Sequence, residues 1–193
     1  MFVIANRLSI SCIKASVSAF ALAQLRFAWP IYISLYFVSN SLSASVLPQQ
    51  IDSASAEFVR DAIVCNRMHI QQALLAKERS QNKGILNLAE TLLSHHKKID
   101  IELKQLAAMK RIAFADNLPV DKLSEISKLT RLKGGAFDKE YLRMMEASHR
   151  KAQNFYQKGV ERALDASVKA FASRSLPALG IHFQTIKLLQ KSI

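Results

Sequence analysis

The chain has 193 residues, half of them hydrophobic, with only 5 Gly and 4 Pro, a composition that excludes a turn-rich sheet protein and a low-complexity chain. Two cysteines, Cys12 and Cys65, exclude a disulfide framework. A net charge of +12 invites a search for nucleic-acid motifs, but the Lys and Arg residues are spread over every helix without aromatic interleaving, so no nucleic-acid partner is expected.

The first 44 residues carry Arg7, Lys14 and Arg26 and no acidic residue. The apolar run FAWPIYISLYFV follows at 27–38, then the small residues NSLSAS. A basic region, a short apolar core and small residues are the parts of a secretory signal peptide, so residues 1–45 are expected to be a leader cut near Ala44 or Ser45. The alternative is an uncleaved segment anchored in the inner membrane, although the apolar run is shorter than the ~20 residues a spanning helix needs. The expected location is the periplasm or cell envelope. Without the three leader cations, 24 Lys and Arg face 15 Asp and Glu, which suits attraction to anionic envelope components or a membrane surface.

From Ser53 the apolar period is helical. Helix one, with Ser53 or Ser55 as its expected cap, shows the stripe Phe58, Ala62, Cys65, His69, Ala73 and Ala76. Helix two opens near Asn82, carries Ile85, Leu88, Leu92, His96, Leu103 and Leu106 on one face, and should end before DNLP at 116–119. A short helix, VDKLSEISKLTRL, fills the crossing and should stop at Gly134 and Gly135. Helix three runs from about Ala136 to Val160 with Tyr141, Met145, His149, Ala152 and Tyr156 in line. Helix four continues to about Gln190, and Pro177 inside it should kink it or break one hydrogen bond. The fold class that follows is all-α: an antiparallel four-helix bundle over residues 53–192, with an extra short helix between helices two and three.

Four of the five histidines, His69, His96, His149 and His182, fall one per long helix on the apolar stripe. His95 sits about 100° around from His96 and is expected to face outward. At 1.5 Å per residue, His69, His96 and His149 lie roughly 15–20 Å from the end where helices one and two join, and His182 about 27 Å from it. Two readings follow. The imidazoles form a buried polar network with one another, with Tyr141 or Tyr156, or with a buried water, or they hold a transition metal (Zn, Cu, Ni or Fe) with Glu146, and Glu57 or Asp138, assisting, fewer carboxylates than a di-iron site needs. Glu146 and His149 have the Glu-x-x-His spacing that puts two ligands on one helical face. Cys65, four residues before His69, reads as an inert buried thiol.

FDKEYL with His149 seven positions later, SLPALGIHF with Pro177 and His182, and AETLLSHHKKIDIELKQLA around His96 resemble a bacterial family of unknown function. Its members are described as outer-membrane or exported proteins with a ferritin-like four-helix fold. The resemblance spans roughly residues 53–190, and its most specific part is Phe137, Asp138, Tyr141 and His149. It implies that His96, His149 and His182 recur in the family. Where family members carry a Glu on helix one this chain has His69, and His95 replaces an acidic residue before His96. An all-imidazole set suits Zn, Cu or Ni better than iron. The leading expectation is a non-enzymatic binding or structural module of the envelope that holds no cofactor; the alternative is metal binding through His69, His96, His149, His182 and Glu146.

Overall fold

The computed structural model describes residues 50–193, so the expected leader at 1–45 lies outside the described residues. The described chain is all-helical: α1 (Ser53–Arg79), α2 (Lys83–Met109), α3 (Val120–Thr130), α4 (Gly134–Arg162) and α5 (Ala166–Gln190). None of these helices is long and apolar enough to cross a membrane.

The links explain the pairing. Only Ser80–Asn82 separate α1 from α2, and only Ala163–Asp165 separate α4 from α5, so each pair folds back on itself. α1 packs chiefly on α2 and α4 chiefly on α5, while α1 also meets α4 and α2 meets α5. The short α3 rests against α1 and α4, with Leu129 as its one buried residue.

The caps correct the expected boundaries. Asp52, not a serine, caps α1: its carboxylate accepts from the Ser55 backbone N–H at 2.8 Å. Ser55 is buried instead, and its hydroxyl accepts from the Asp165 N–H at 3.1 Å, tying the start of α1 to the start of α5. α2 stops at Met109, before DNLP as expected. Arg111 takes a left-handed φ of 54°, and the Ile112 N–H reaches the Ala107 carbonyl at 2.8 Å. These are the parts of a Schellman ending, with buried Ile112 as its apolar contact and an arginine where glycine is usual. Gly134, expected to close α3, opens α4 at φ 53°. α5 runs through Pro177 as one element.

The interior divides into two apolar clusters. One holds Ala62, Ile63, Leu103, Ala152 and Leu179; the other holds Ala73, Leu92, Leu93, Met145 and Ile186. In each of the four long helices a buried histidine lies between the residues of one cluster and those of the other. His69, His96, His149 and His182 thus form a polar layer across the middle of an otherwise apolar interior, each at most 2% exposed. Ser80 Oγ donates to the Asp138 carboxylate at 2.7 Å, fixing the α1–α2 turn against α4.

Candidate metal centre

Burying an imidazole among apolar side chains costs free energy unless its nitrogens find partners. Three of the four find one ring partner each, and for two of them that partner can only accept. Asn66 lies one turn before His96's level on the facing helix; its Nδ2 donates to the His96 backbone carbonyl at 2.9 Å, which fixes the amide's orientation. Asn66 Oδ1 therefore faces His96 Nδ1 at 2.8 Å and must accept from it. On α4, His149 Nδ1 donates to the Met145 carbonyl at 3.0 Å. Both acceptors lack protons, so both rings carry their hydrogen on Nδ1 and a lone pair on Nε2. Those two Nε2 atoms are buried and have no partner among the described residues.

His69 completes the group. Its ring stacks on His149 at 4.2 Å between centroids and lies 4.8 Å from that of His96. Ligand nitrogens of His69, His96 and His149 lie within 4.8 Å of one another. Tetrahedral coordination at about 2.0–2.1 Å needs them roughly 3.3 Å apart, so side-chain shifts of about an ångström close the site.

His182 is also at this level. Its ring centroid is 5.3 Å from His96 and 5.5 Å from His149. The estimate of about 27 Å counted from the wrong pole. α5 begins beside Asp52 and Ser55, at the far end from the α1–α2 turn, and His182 lies eight residues before its last residue, about 12 Å from the near end. His95, expected to face outward, is half-buried and shares a hydrogen bond with His182, Nδ1 to Nε2, at 2.8 Å. α2 meets α5 as well as α1, so its inward face is wider than one stripe. All five histidines of the chain thus lie in one contiguous group.

Glu146 does not join them. It is half-buried at the surface of α4, paired with Arg150 one turn on, and its carboxyl is held below the usual range by Gln190 and Arg150. A carboxylate costs more to bury than an imidazole, and a cation within reach on the same helix keeps it outside. Glu57 is exposed, and Asp138 is engaged with Ser80. Among the described residues no imidazole bonds to a tyrosine, and the buried Tyr141 hydroxyl has no partner there. Asn66 and Gln72 carry no sequence signal beyond lying on the inward face of α1.

The electrostatics keep the rings neutral. Burial, and then repulsion from neighbouring imidazoles, holds His69 and His96 well below the usual histidine range. Burial lowers His149 to about 4, its Met145 bond opposing, and burial with the fields of His149 and His95 lowers His182 to about 3. Neutral imidazoles are the form that binds metals. Beside His69, a cavity of about 600 Å³ opens between α1, α3 and α4, bordered by Cys65 and Gln72. Burial pushes the Cys65 thiol up to about 11, away from the reactive thiolate.

A family model described as a domain of unknown function (DUF4142) matches residues 41–189, so the chain belongs to that family. No curated protein matches it. Among solved structures, a DUF305 fragment from Deinococcus radiodurans is similar at a TM-score of 0.67 and 14% identity, covering 74% of this chain and 99% of that one. A DUF305 protein from Streptomyces coelicolor is similar at 0.62 and 18%, covering 70% and 89%. A conserved hypothetical protein from Mycobacterium tuberculosis is similar at 0.57 and 16%, covering 73% and 93%. These likenesses concern the helical fold.

Proposed function

We propose that this DUF4142 protein is an exported, ferritin-like four-helix module of the cell envelope that binds a divalent transition metal, zinc or copper, through His69, His96 and His149. The observation that carries the reading is the pair of buried Nε2 lone pairs on His96 and His149. Each is turned toward its neighbours by an N–H anchored on the ring's other side, to Asn66 and to Met145. Metal-bound histidines characteristically donate their second ring N–H to a carbonyl or carboxylate, which orients the ring and raises its basicity. A purely structural network would need a further donor, such as a buried water, at both of these acceptors. His182 lies close enough to supply or support a fourth ligand, and the cavity at His69 gives an approach from the surface.

Imidazole-only ligation favours zinc and copper over calcium and magnesium, which take oxygen. Binding or sequestration is the role proposed. Export is supported by the composition of residues 1–45, and N-terminal sequencing of the mature protein tests it: a chain beginning at Met1 in the cytosol would rule it out.

Metal content of protein purified without chelators tests the site. One equivalent of zinc or copper is expected in the wild type, and a large loss in the His96→Ala, His149→Ala double variant. Equal, sub-stoichiometric metal in both removes the reading.

A further inference from the structure

Three rings of the histidine layer share one arrangement. His96 and His149 each have one ring nitrogen hydrogen-bonded and the other buried without a partner among the described residues. His182 repeats it with the nitrogens exchanged: Nε2 meets His95 Nδ1 at 2.8 Å, and Nδ1 is the buried atom without a partner.

A single proton lies between His95 and His182, so one ring donates and the other accepts. If His95 donated, the proton of His182 would sit on Nδ1, a buried N–H with no acceptor among the described residues. If His182 donates, its Nδ1 is a lone pair. His95 then carries its own proton on Nε2, beside the groove between α2 and α5 that it borders. An ion among His69, His96 and His149 decides between the two states, because a cation repels an N–H and attracts a lone pair. The spacing also fits. Imidazoles bound tetrahedrally at about 2.0–2.1 Å have ring centroids about 5 Å apart. The His182 ring is 5.3 Å from His96 and 5.5 Å from His149, so α5 need not move for it to join.

We propose that His95 is the positioning residue of His182: by accepting its Nε2–H, His95 commits Nδ1 to the ion as fourth ligand and closes the centre as a four-imidazole site. The inference rests on the metal-binding reading above. His95 stays off the ion and does for His182 what Asn66 does for His96. A closed site keeps no coordination position for water or substrate, which suits holding an ion and not catalysis with it.

Two measurements on the full chain test this. In metal-free protein at neutral pH, nitrogen-15 spectra of the imidazoles should show the His182 proton on Nε2; a proton on Nδ1 overturns the proposal. With Co(II) bound, thiocyanate should leave the visible spectrum of the wild type unchanged, since no position is open to it. His95→Leu, which cannot accept, should weaken cobalt binding by about 10- to 100-fold and let thiocyanate change the spectrum. His95→Asn, whose Oδ1 takes the place of the ring Nδ1, should restore both properties. The proposal alone is overturned by a thiocyanate response in the wild type, by a His95→Leu chain that matches the wild type, or by a His95→Asn chain that matches His95→Leu. A wild-type chain that takes up no cobalt defeats the metal reading and this proposal together.

Discussion

Asn66 and His96 grip each other twice across the α1–α2 interface: amide nitrogen to backbone carbonyl at 2.9 Å, and ring Nδ1 to amide oxygen at 2.8 Å. The amide is buried at 2% exposure and has no exposed rotamer to escape to without breaking both bonds. One side chain thereby sets the tautomer, the ring plane and the direction of the free Nε2 lone pair.

Asn66→Ala is therefore expected to weaken zinc binding by roughly 10- to 100-fold, the usual effect of removing a group that orients a metal-bound histidine. It should also destabilise the metal-free fold by about 1–3 kcal/mol, because the His96 Nδ1–H and its carbonyl lose their partner. Calorimetric zinc titration and urea unfolding measure the two effects. Unchanged zinc affinity would show that Asn66 does not orient a ligand.

The histidine layer makes stability depend on pH. The folded-state pKa of all four buried rings is depressed, to about 4 for His149 and about 3 for His182. In the unfolded chain they titrate near 6.5. Below that value the unfolded state binds more protons than the folded one, so the stability present at neutral pH is lost as pH falls. Each ring can contribute a slope approaching about 1.4 kcal/mol per pH unit. Urea unfolding of the metal-free protein at pH 7.5 and 5.0 should show a loss of several kcal/mol. Bound metal should hold the rings deprotonated and lessen that loss at the milder pH values, since only the folded state offers the site. Equal stability at pH 7.5 and 5.0 in metal-free protein would mean the rings are not held neutral.

Two helical glycines separate packing from propensity. A Cβ on Gly159 would collide with the Phe58 ring, whose stacking on Phe155 at 4.9 Å leaves it little room to move. Gly159→Ala should cost about 1–3 kcal/mol through overpacking. A Cβ on Gly180 meets only the Gln153 side-chain nitrogen at 3.6 Å, ordinary contact. Gly180→Ala should stabilise by about 0.5–1 kcal/mol, the usual helix-interior gain. Thermal melts of the two variants should move in opposite directions; a gain for Gly159→Ala would contradict the close approach of α4 to α1.

The helices and the histidine stripe were legible in the sequence because a helix turns 100° per residue, and a side chain's azimuth follows from counting alone. The period placed His69, His96, His149 and His182 inward, and the structure buries all four. Endings were less legible. α2 closes on Arg111, whose left-handed φ carries no glycine to announce it, and α1 is capped by Asp52 just outside the serine cluster.

What counting could not supply was the third dimension. The depth of His182 depends on which pole α5 starts from, and the reversal of the chain after Ala163 decides that. His95 turns inward because α2 has a second neighbour, while Glu146 stays out because Arg150 is the easier partner for a charge that resists burial. Asn66 and Gln72 look alike on paper: two amides on one helical face. Only the packing of a second helix gives the first a histidine to hold and leaves the second without a side-chain partner among the described residues. Periodicity along one chain fixes direction, and contacts between chain segments distant in sequence fix partners.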